Sequence, residues 1–360
     1  MKKQLLSLVF SAFASMAVAA DAPVYKAPSA TVMSANGWYV SLDGAWQNFS
    51  LPSYGLGFRK VTSSPGFGDA GPFQTFKQRF DGYLVRGSVG YFLPSTYSNT
   101  LFGANTRLEV GGFYGQASGT DTGTTVYTGG GIVTQTQNGA ISRFGYACGN
   151  FQVCTANSTL STDYSIWQLH GKVAGDYRIG EIQITPSLAV FGGNARNDQT
   201  LFQAVQIGPA PTQPTYNGST LLRWADIGAR AGLDLKIDVT PRVALGFSGF
   251  AGFAGRHASL GGSDVVVDNI FGNMAGGSAI STSANTTPVI ANAEASVAFK
   301  WLPELTLRGF FGLNYDSKVP GIASPRFTGS AFGATSRTPA SISFHAETSF
   351  YAGSGLIWTF

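Results

Sequence analysis

Along most of the chain, apolar and polar residues alternate with a period of two, the spacing of β-strands whose two faces meet different surroundings. In 37–49, Trp38, Val40, Leu42 and Trp46 oppose Ser41, Asp43 and Gln47. In 76–93, Tyr83, Val85, Val89 and Tyr91 oppose Arg86, Ser88 and Gly90; in 101–117, Leu108, Val110 and Tyr114 oppose Arg107 and Glu109. In 162–179, Trp167, Leu169, Val173 and Tyr177 stand against Gln168, His170, Lys172, Asp176 and Arg178. The return strand 181–193 carries Ile182, Ile184, Leu188 and Val190 on its apolar face. The clearest case is 221–239, with Ile227, Ala229, Ala231, Leu233, Leu235 and Ile237 on one side and Asp226, Arg230, Asp234, Lys236 and Asp238 on the other. Further strands are predicted over 242–256, 288–300 and 304–316. The terminal stretch alternates to its last residue: Phe350, Ala352, Leu356, Trp358 and Phe360 share one parity, and His345, Glu347, Ser349, Tyr351 and Thr359 the other.

The connections alternate as well. Short turns are expected at 94–99, at Gly180-Glu181, at Thr240-Pro241 and at 301–304; long loops are expected over 51–75, 118–161, 194–219, 257–287 and 317–340. This spacing predicts an all-β fold, a transmembrane antiparallel up-and-down β-barrel of about ten strands with short periplasmic turns and long extracellular loops. Twelve strands would result if the stretch TTVYTGGGIVTQTQ, 124–137, held a further hairpin. Composition agrees. Charged residues make up 12% of the chain and aromatics 13%, with 47 glycines; the charged share is about half of that in soluble domains. Past the N-terminus no window is apolar enough for a spanning helix, and a closed barrel is the other structure that satisfies every backbone group in lipid. Aromatics pair at opposite ends of the apolar faces: Trp38 with Trp46, Tyr83 with Tyr91, Trp167 with Tyr177. Two interfacial girdles require that placement.

The N-terminus adds an address. Lys2 and Lys3 precede an apolar run over 5–18, and Ala17, Ala19 and Ala20 supply small residues for cleavage. The pattern predicts a secretory signal peptide, 1–20. The Ala/Pro-rich stretch 21–36 follows as a periplasmic lead-in, and the barrel occupies 37–360. Loss of the leader lowers the formal charge of +4 to about +2, too little for the basic stripe that nucleic acid demands.

The alternating end that carries Tyr351, Leu356, Trp358 and Phe360 resembles the C-terminal signal by which the bacterial outer-membrane assembly machinery recognises its substrates. In pattern the whole mature chain resembles the Gram-negative outer-membrane β-barrels. The DAPVYKAP lead-in and the opening GWYVSLDG strand look like the surface proteins and porins of alphaproteobacteria and the Legionella-type major outer-membrane proteins. The resemblance implies residence in the outer membrane among its lipid and lipopolysaccharide, with the barrel assembly machinery as a partner.

No catalytic or cofactor-binding motif is present: the chain lacks a GxSxG elbow, HExxH, GxxxxGK[ST] and CxxC. The expectation is therefore no enzyme activity, no cofactor and no metal. Cys148 and Cys154 are the two cysteines; an exported chain meets an oxidising compartment, so a disulfide closing a small loop is expected, with metal binding as the sharper alternative. The polar faces place Arg86, Arg107, Glu109, His170, Lys172, Asp226, Arg230, Asp234, Lys236, Glu294, Arg308 and Glu347 toward the lumen, with acids and bases nearly balanced. Two functions fit that lumen. Charges lining a water-filled path would give a pore for passive diffusion of small polar solutes or ions. Charges paired across the lumen would close it, leaving a structural barrel whose surface loops bind partners. A third possibility is a surface protease like the omptins, ten-stranded barrels with acid and His residues near the outer rim. His345, Glu347, Asp316 and Asp43 supply such groups, but there is no adjacent Asp-His pair like that family's, so no residue carries over.

Overall fold

The computed structural model describes residues 37–61, 70–94, 104–128, 131–138, 141–142, 153–207, 214–268, 274–328 and 336–360. The expected signal peptide and lead-in, 1–20 and 21–36, lie outside the described residues. The strands in chain order are β1 (Trp38–Tyr54), β2 (Gly57–Val61), β3 (Ala70–Phe73), β4 (Phe76–Phe92), β5 (Ala104–Thr128), β6 (Gly131–Gln135), β7 (Ile141–Ser142), β8 (Val153–Ile179) and β9 (Ile182–Ile207). They continue as β10 (Thr215–Asp238), β11 (Val243–Asp268), β12 (Met274–Thr286), β13 (Val289–Lys300), β14 (Leu305–Ala323), β15 (Arg326–Thr328), β16 (Ser336–Thr338) and β17 (Ser341–Thr359).

The main sheet runs β10-β9-β8-β5-β4-β1-β17-β14-β13-β11-β12, and a β10–β11 ladder closes it into a ring. Every neighbouring pair is antiparallel. Both β12 and β13 pair with β11, one above the other, with Thr287 and Pro288 between them. They form one interrupted stave, because proline offers no N–H to a ladder; its carbonyl still accepts from the Ala254 N–H at 3.2 Å. The barrel therefore has ten staves. The stretch 124–137 adds none: its first part extends β5, and β6 pairs instead with β2 in a small separate sheet, β3-β2-β6-β7. Tight turns link the staves at one end, with Gly180 in the left-handed region at φ 63°, a conformation glycine adopts without steric cost.

The side-chain parity expected from sequence holds in the lower half of the barrel. Trp38, Val40, Leu42, Trp46, Tyr83, Val85, Val89, Leu108, Val110, Trp167, Leu169, Leu188, Val190, Ile227 and Leu233 are all exposed on the outer face, an apolar belt of the kind that meets lipid. Aromatics rim it at both heights. Trp46 pairs with Tyr83, Tyr83 touches Tyr114 at 6.2 Å, and Tyr114 pairs with Trp167. The Tyr83 and Tyr114 hydroxyls both donate to Gln116 Oε1 just above the belt, at 2.8 and 3.1 Å. At the turn end Trp38 meets Tyr91 at 4.9 Å, and Trp358 stacks on Phe360 at 5.9 Å.

The long connections depart from expectation. Most of 118–161, 194–219 and 257–287, and parts of 51–75 and 317–340, are strand. β8 has 27 residues and β9 and β11 have 26, whereas a tilted crossing takes about 9–11. From Trp167 to Val153, β8 continues for roughly 45 Å at about 3.3 Å per residue. His257, expected in a loop, is an exposed strand residue that shares a hydrogen bond with Asn285 Oδ1 at 2.7 Å. The physical reason is a change of surroundings. Above the upper girdle the outer face meets water, so Ser118, Thr120, Asn157, Ser161 and Asp163 replace the apolar series while the pleat continues without a break.

The inner face changes in the opposite sense. On β8 it is polar low down, at Gln168, His170 and Lys172, and higher up it carries Ile166, Tyr164, Leu160 and Ala156. Together with Phe49, Phe80, Leu201, Leu222, Trp224, Leu260 and Ile322 these residues fill the upper barrel with a hydrophobic core. Two segments fold inward to complete it. Tyr54, Leu56 and Phe58 are at most 1% exposed, and the Phe58 N–H donates to Gln203 Oε1 at 2.8 Å. Gln137, fully buried, donates from its backbone to Asp264 at 2.6 Å. Burial raises the Tyr54 and Tyr216 hydroxyls well above the usual phenol range in this core.

Candidate functional site

Beneath the apolar core lies a cavity of about 700 Å³, bordered by inward side chains of every stave and reaching Lys236, Thr306 and Thr359 at the turn end. Arg86, Arg107, Glu109, His170, Lys172, Asp226, Arg230, Asp234, Lys236, Glu294, Arg308 and Glu347 all border it. Because alternate residues of a strand point the same way, ten strands with polar inner faces bring these groups into one space.

They gather into networks. Arg86 pairs with Glu294 at 2.7 Å and Asp43 at 3.2 Å, and Arg308 pairs with Asp43 at 2.6 Å and Glu294 at 3.6 Å. Tyr351 donates to Glu294 at 2.9 Å, and both guanidiniums lie against Phe310, at 4.3 and 5.0 Å from the ring centre. This four-charge cluster joins β1, β4, β13 and β14. A second group centres on Glu109, which takes Lys172 at 2.9 Å, His170 at 3.4 Å and the Tyr39 hydroxyl. Arg107 pairs with Asp176 at 3.0 Å, and Thr185 donates to the same carboxylate at 2.7 Å. At the rim Lys236 meets Asp238 at 3.0 Å, both half-exposed.

The third network involves a residue that sequence patterning passed over. Arg256 ends the expected strand 242–256, yet it sits mid-way along β11, its side chain 2% exposed. Its Nε and Nη2 donate to the two oxygens of Asp226 at 2.7 and 2.6 Å. Nη2 also donates to Asp316 at 2.7 Å, and Nη1 donates to the Lys318 carbonyl at 2.7 Å. It braces a weak point of the wall. The β13–β14 ladder stops at Ile290 and Asp316; beyond a bulge, β14 pairs among the described residues only with β17.

Of the groups considered for hydrolysis, Asp316 and Glu347 stand opposite each other on β14 and β17, and each of the four holds a partner of its own. Asp43 and Asp316 are engaged by arginines, Glu347 accepts from Ser50 Oγ at 2.6 Å, and His345, opposite the core residue Val319 on the inward parity, is exposed and bonded to Ser343 Oγ at 3.0 Å. Among the described residues no group of three or more His, Cys, Asp or Glu side chains could hold a metal. Cys154 is fully buried at the start of β8; Cys148 lies outside the described residues, and with it the pairing expected of the two. Leu356 and Trp358 on β17 and Phe360 just past its end project from the belt, whereas Tyr351 points inward and is completely buried.

The closed ring, the two girdles, the apolar exterior and the charged interior define a bacterial outer-membrane β-barrel. No protein-family model and no curated protein matches the chain in sequence. Among solved structures it is similar to the outer-membrane protease OmpT from Escherichia coli, at 12% identity over 93% of this chain and 99% of that one, with a TM-score of 0.45. It is also similar to Neisserial surface protein A, at 10% identity over 90% and 97% with a TM-score of 0.25. A Pseudomonas aeruginosa FadL homologue is a third, at 9% identity over 90% of each chain with a TM-score of 0.25. Similarities this distant do not transfer an activity.

Proposed function

We propose that the protein is a closed, surface-presenting barrel, whose staves carry a stiff sheet out beyond the membrane where its loops engage a partner. The observation that carries this reading is the burial of the upper inner face. A water-filled path exposes the side chains that line it, yet Leu160, Leu201, Leu222, Leu260, Gln203 and Thr220 are each at most 1% exposed. They come from four adjacent staves, and Phe49, Phe80 and Ile322 continue the layer around the ring. Packing at native density leaves few voids as large as a water molecule, so a solute entering from the turn end meets a dry cap. The charge networks below fit the same reading, since paired ions across a lumen tie staves together. Passive diffusion, the first function the lumen charges suggest, is supported by the cavity but opposed by the cap.

Planar-bilayer recording tests the proposal. The purified barrel is expected to give no steps of reproducible conductance, and excision of 55–74, which removes the buried Leu56 and Phe58, is expected to introduce current. Reproducible steps from the unaltered protein would refute the closed reading.

A further inference from the structure

Among the lumen cations at membrane level, one stands apart. Arg86, Arg107, Lys172, Arg256 and Arg308 each have a carboxylate within 4 Å. Arg230 has none among the described residues; its Nη1 donates to Gln168 Oε1 at 3.0 Å, and no hydrogen bond from Nε or Nη2 accompanies it. Asp234, two inward positions along the same strand, lies in the field of Lys172 and Arg107 and forms no ion pair with Arg230. A half-buried guanidinium without an ion-pair partner is costly; Glu109 acts on Arg230 only at a distance, and here the surroundings are shaped around it. Its inward neighbours along β10 are Gly228 and Gly232, and those directly across are Ala189 and Gly252. All four are Gly or Ala; Phe191 and Ser187 reach over Gly228 and Gly232, and a hollow bordered by Ala189, Gly232 and Phe250 remains on the cavity side of the side chain. Opposite the two β10 glycines stand Phe191 and Phe250, whose rings lie 5.6 and 4.3 Å from the guanidinium carbon. Two aromatic rings and an amide hold the planar head in place at the edge of the cavity.

We propose that this hollow is a binding site for a small organic carboxylate entering from the turn end. A guanidinium's side fork matches a carboxylate in two parallel charge-assisted hydrogen bonds, and Phe250, which borders the cavity, suits an apolar or aromatic body. The cavity of about 700 Å³ is within the usual size of small-ligand pockets. The site lies below the cap, so it stands or falls independently of whether the barrel conducts.

Benzoate, the uncharged benzamide and inorganic phosphate serve as probes, titrated by calorimetry into the full-length barrel in detergent. Benzoate is expected to bind saturably and benzamide at least tenfold more weakly. Arg230→Met is expected to weaken benzoate at least tenfold and Arg230→Lys, which keeps the charge but loses the fork, by an intermediate factor. Heat-modifiable gel mobility confirms that each variant is a folded barrel. Equal binding of benzoate and benzamide overturns the proposal, as does unchanged benzoate binding by Arg230→Met. Displacement of benzoate by an equal concentration of phosphate also overturns it, because the apolar walls would then contribute nothing.

Discussion

Replacing Arg256 with methionine isolates what a lumen ion network is worth. Methionine keeps most of the aliphatic stem's volume and removes the charge, leaving Asp226 and Asp316 facing each other without a cation. Three charge-assisted hydrogen bonds to carboxylates are lost, at 2.6–2.7 Å, together with one to the Lys318 carbonyl. Breaking a buried pair by removing one partner costs about 3–5 kcal/mol. The two carboxylates keep 14% and 24% of their side-chain exposure toward the cavity, so water offsets part of that cost and the lower end, about 3 kcal/mol, applies. Neutralising all three groups, as Arg256→Met with Asp226→Asn and Asp316→Asn, removes the stranded charges and is expected to recover to within about 1 kcal/mol of the parent. Urea titration of the barrel in lipid vesicles, read by tryptophan fluorescence and gel mobility, measures both. The reasoning fails if the single variant loses less than about 1 kcal/mol, or if the triple variant is as unstable as the single one.

On the lipid face, Leu188 lies midway along the apolar stretch of β9 and is exposed; Leu188→Arg is expected to cost about 2–4 kcal/mol in the same titration. Gly312→Ala would place a methyl 2.3 Å from the Tyr351 hydroxyl and 2.8 Å from the Ala293 carbonyl, so a loss of about 1–3 kcal/mol is expected from overpacking. Single cysteines in a Cys148→Ser/Cys154→Ser background test the cap: a hydrophilic thiol reagent is expected to label positions 234 and 236 from the turn end and to spare 201 and 260. Labelling of 201 or 260 at a comparable rate would mean that the upper barrel is wet.

Within the membrane, the lipid made the fold legible from sequence. Hydrocarbon on one side and a charged lumen on the other impose a strict two-residue period, so Ile227 and Arg230, or Leu169 and His170, declare their faces without any neighbour's help. About ten staves, the girdles and most of the inward charges, Arg256 excepted, follow from that rule. Above Trp167 the same rule works against a reader of sequence. Water replaces lipid outside and packed side chains replace the polar lumen inside, so Leu160 and Ser161 exchange the roles of His170 and Leu169, and polar runs that look like loops remain in the sheet. Tertiary structure alone decided three further matters. It bent Leu56 and Phe58 inward as a cap, which depends on a contact with Gln203 on a distant stave. It chose ion partners, such as Arg86 with Glu294, that local pattern cannot pair because ring closure sets their distance. And it left Arg230, between Phe191 and Phe250, without an ion-pair partner among the described residues, since whether a charge has a partner is a property of the space around it.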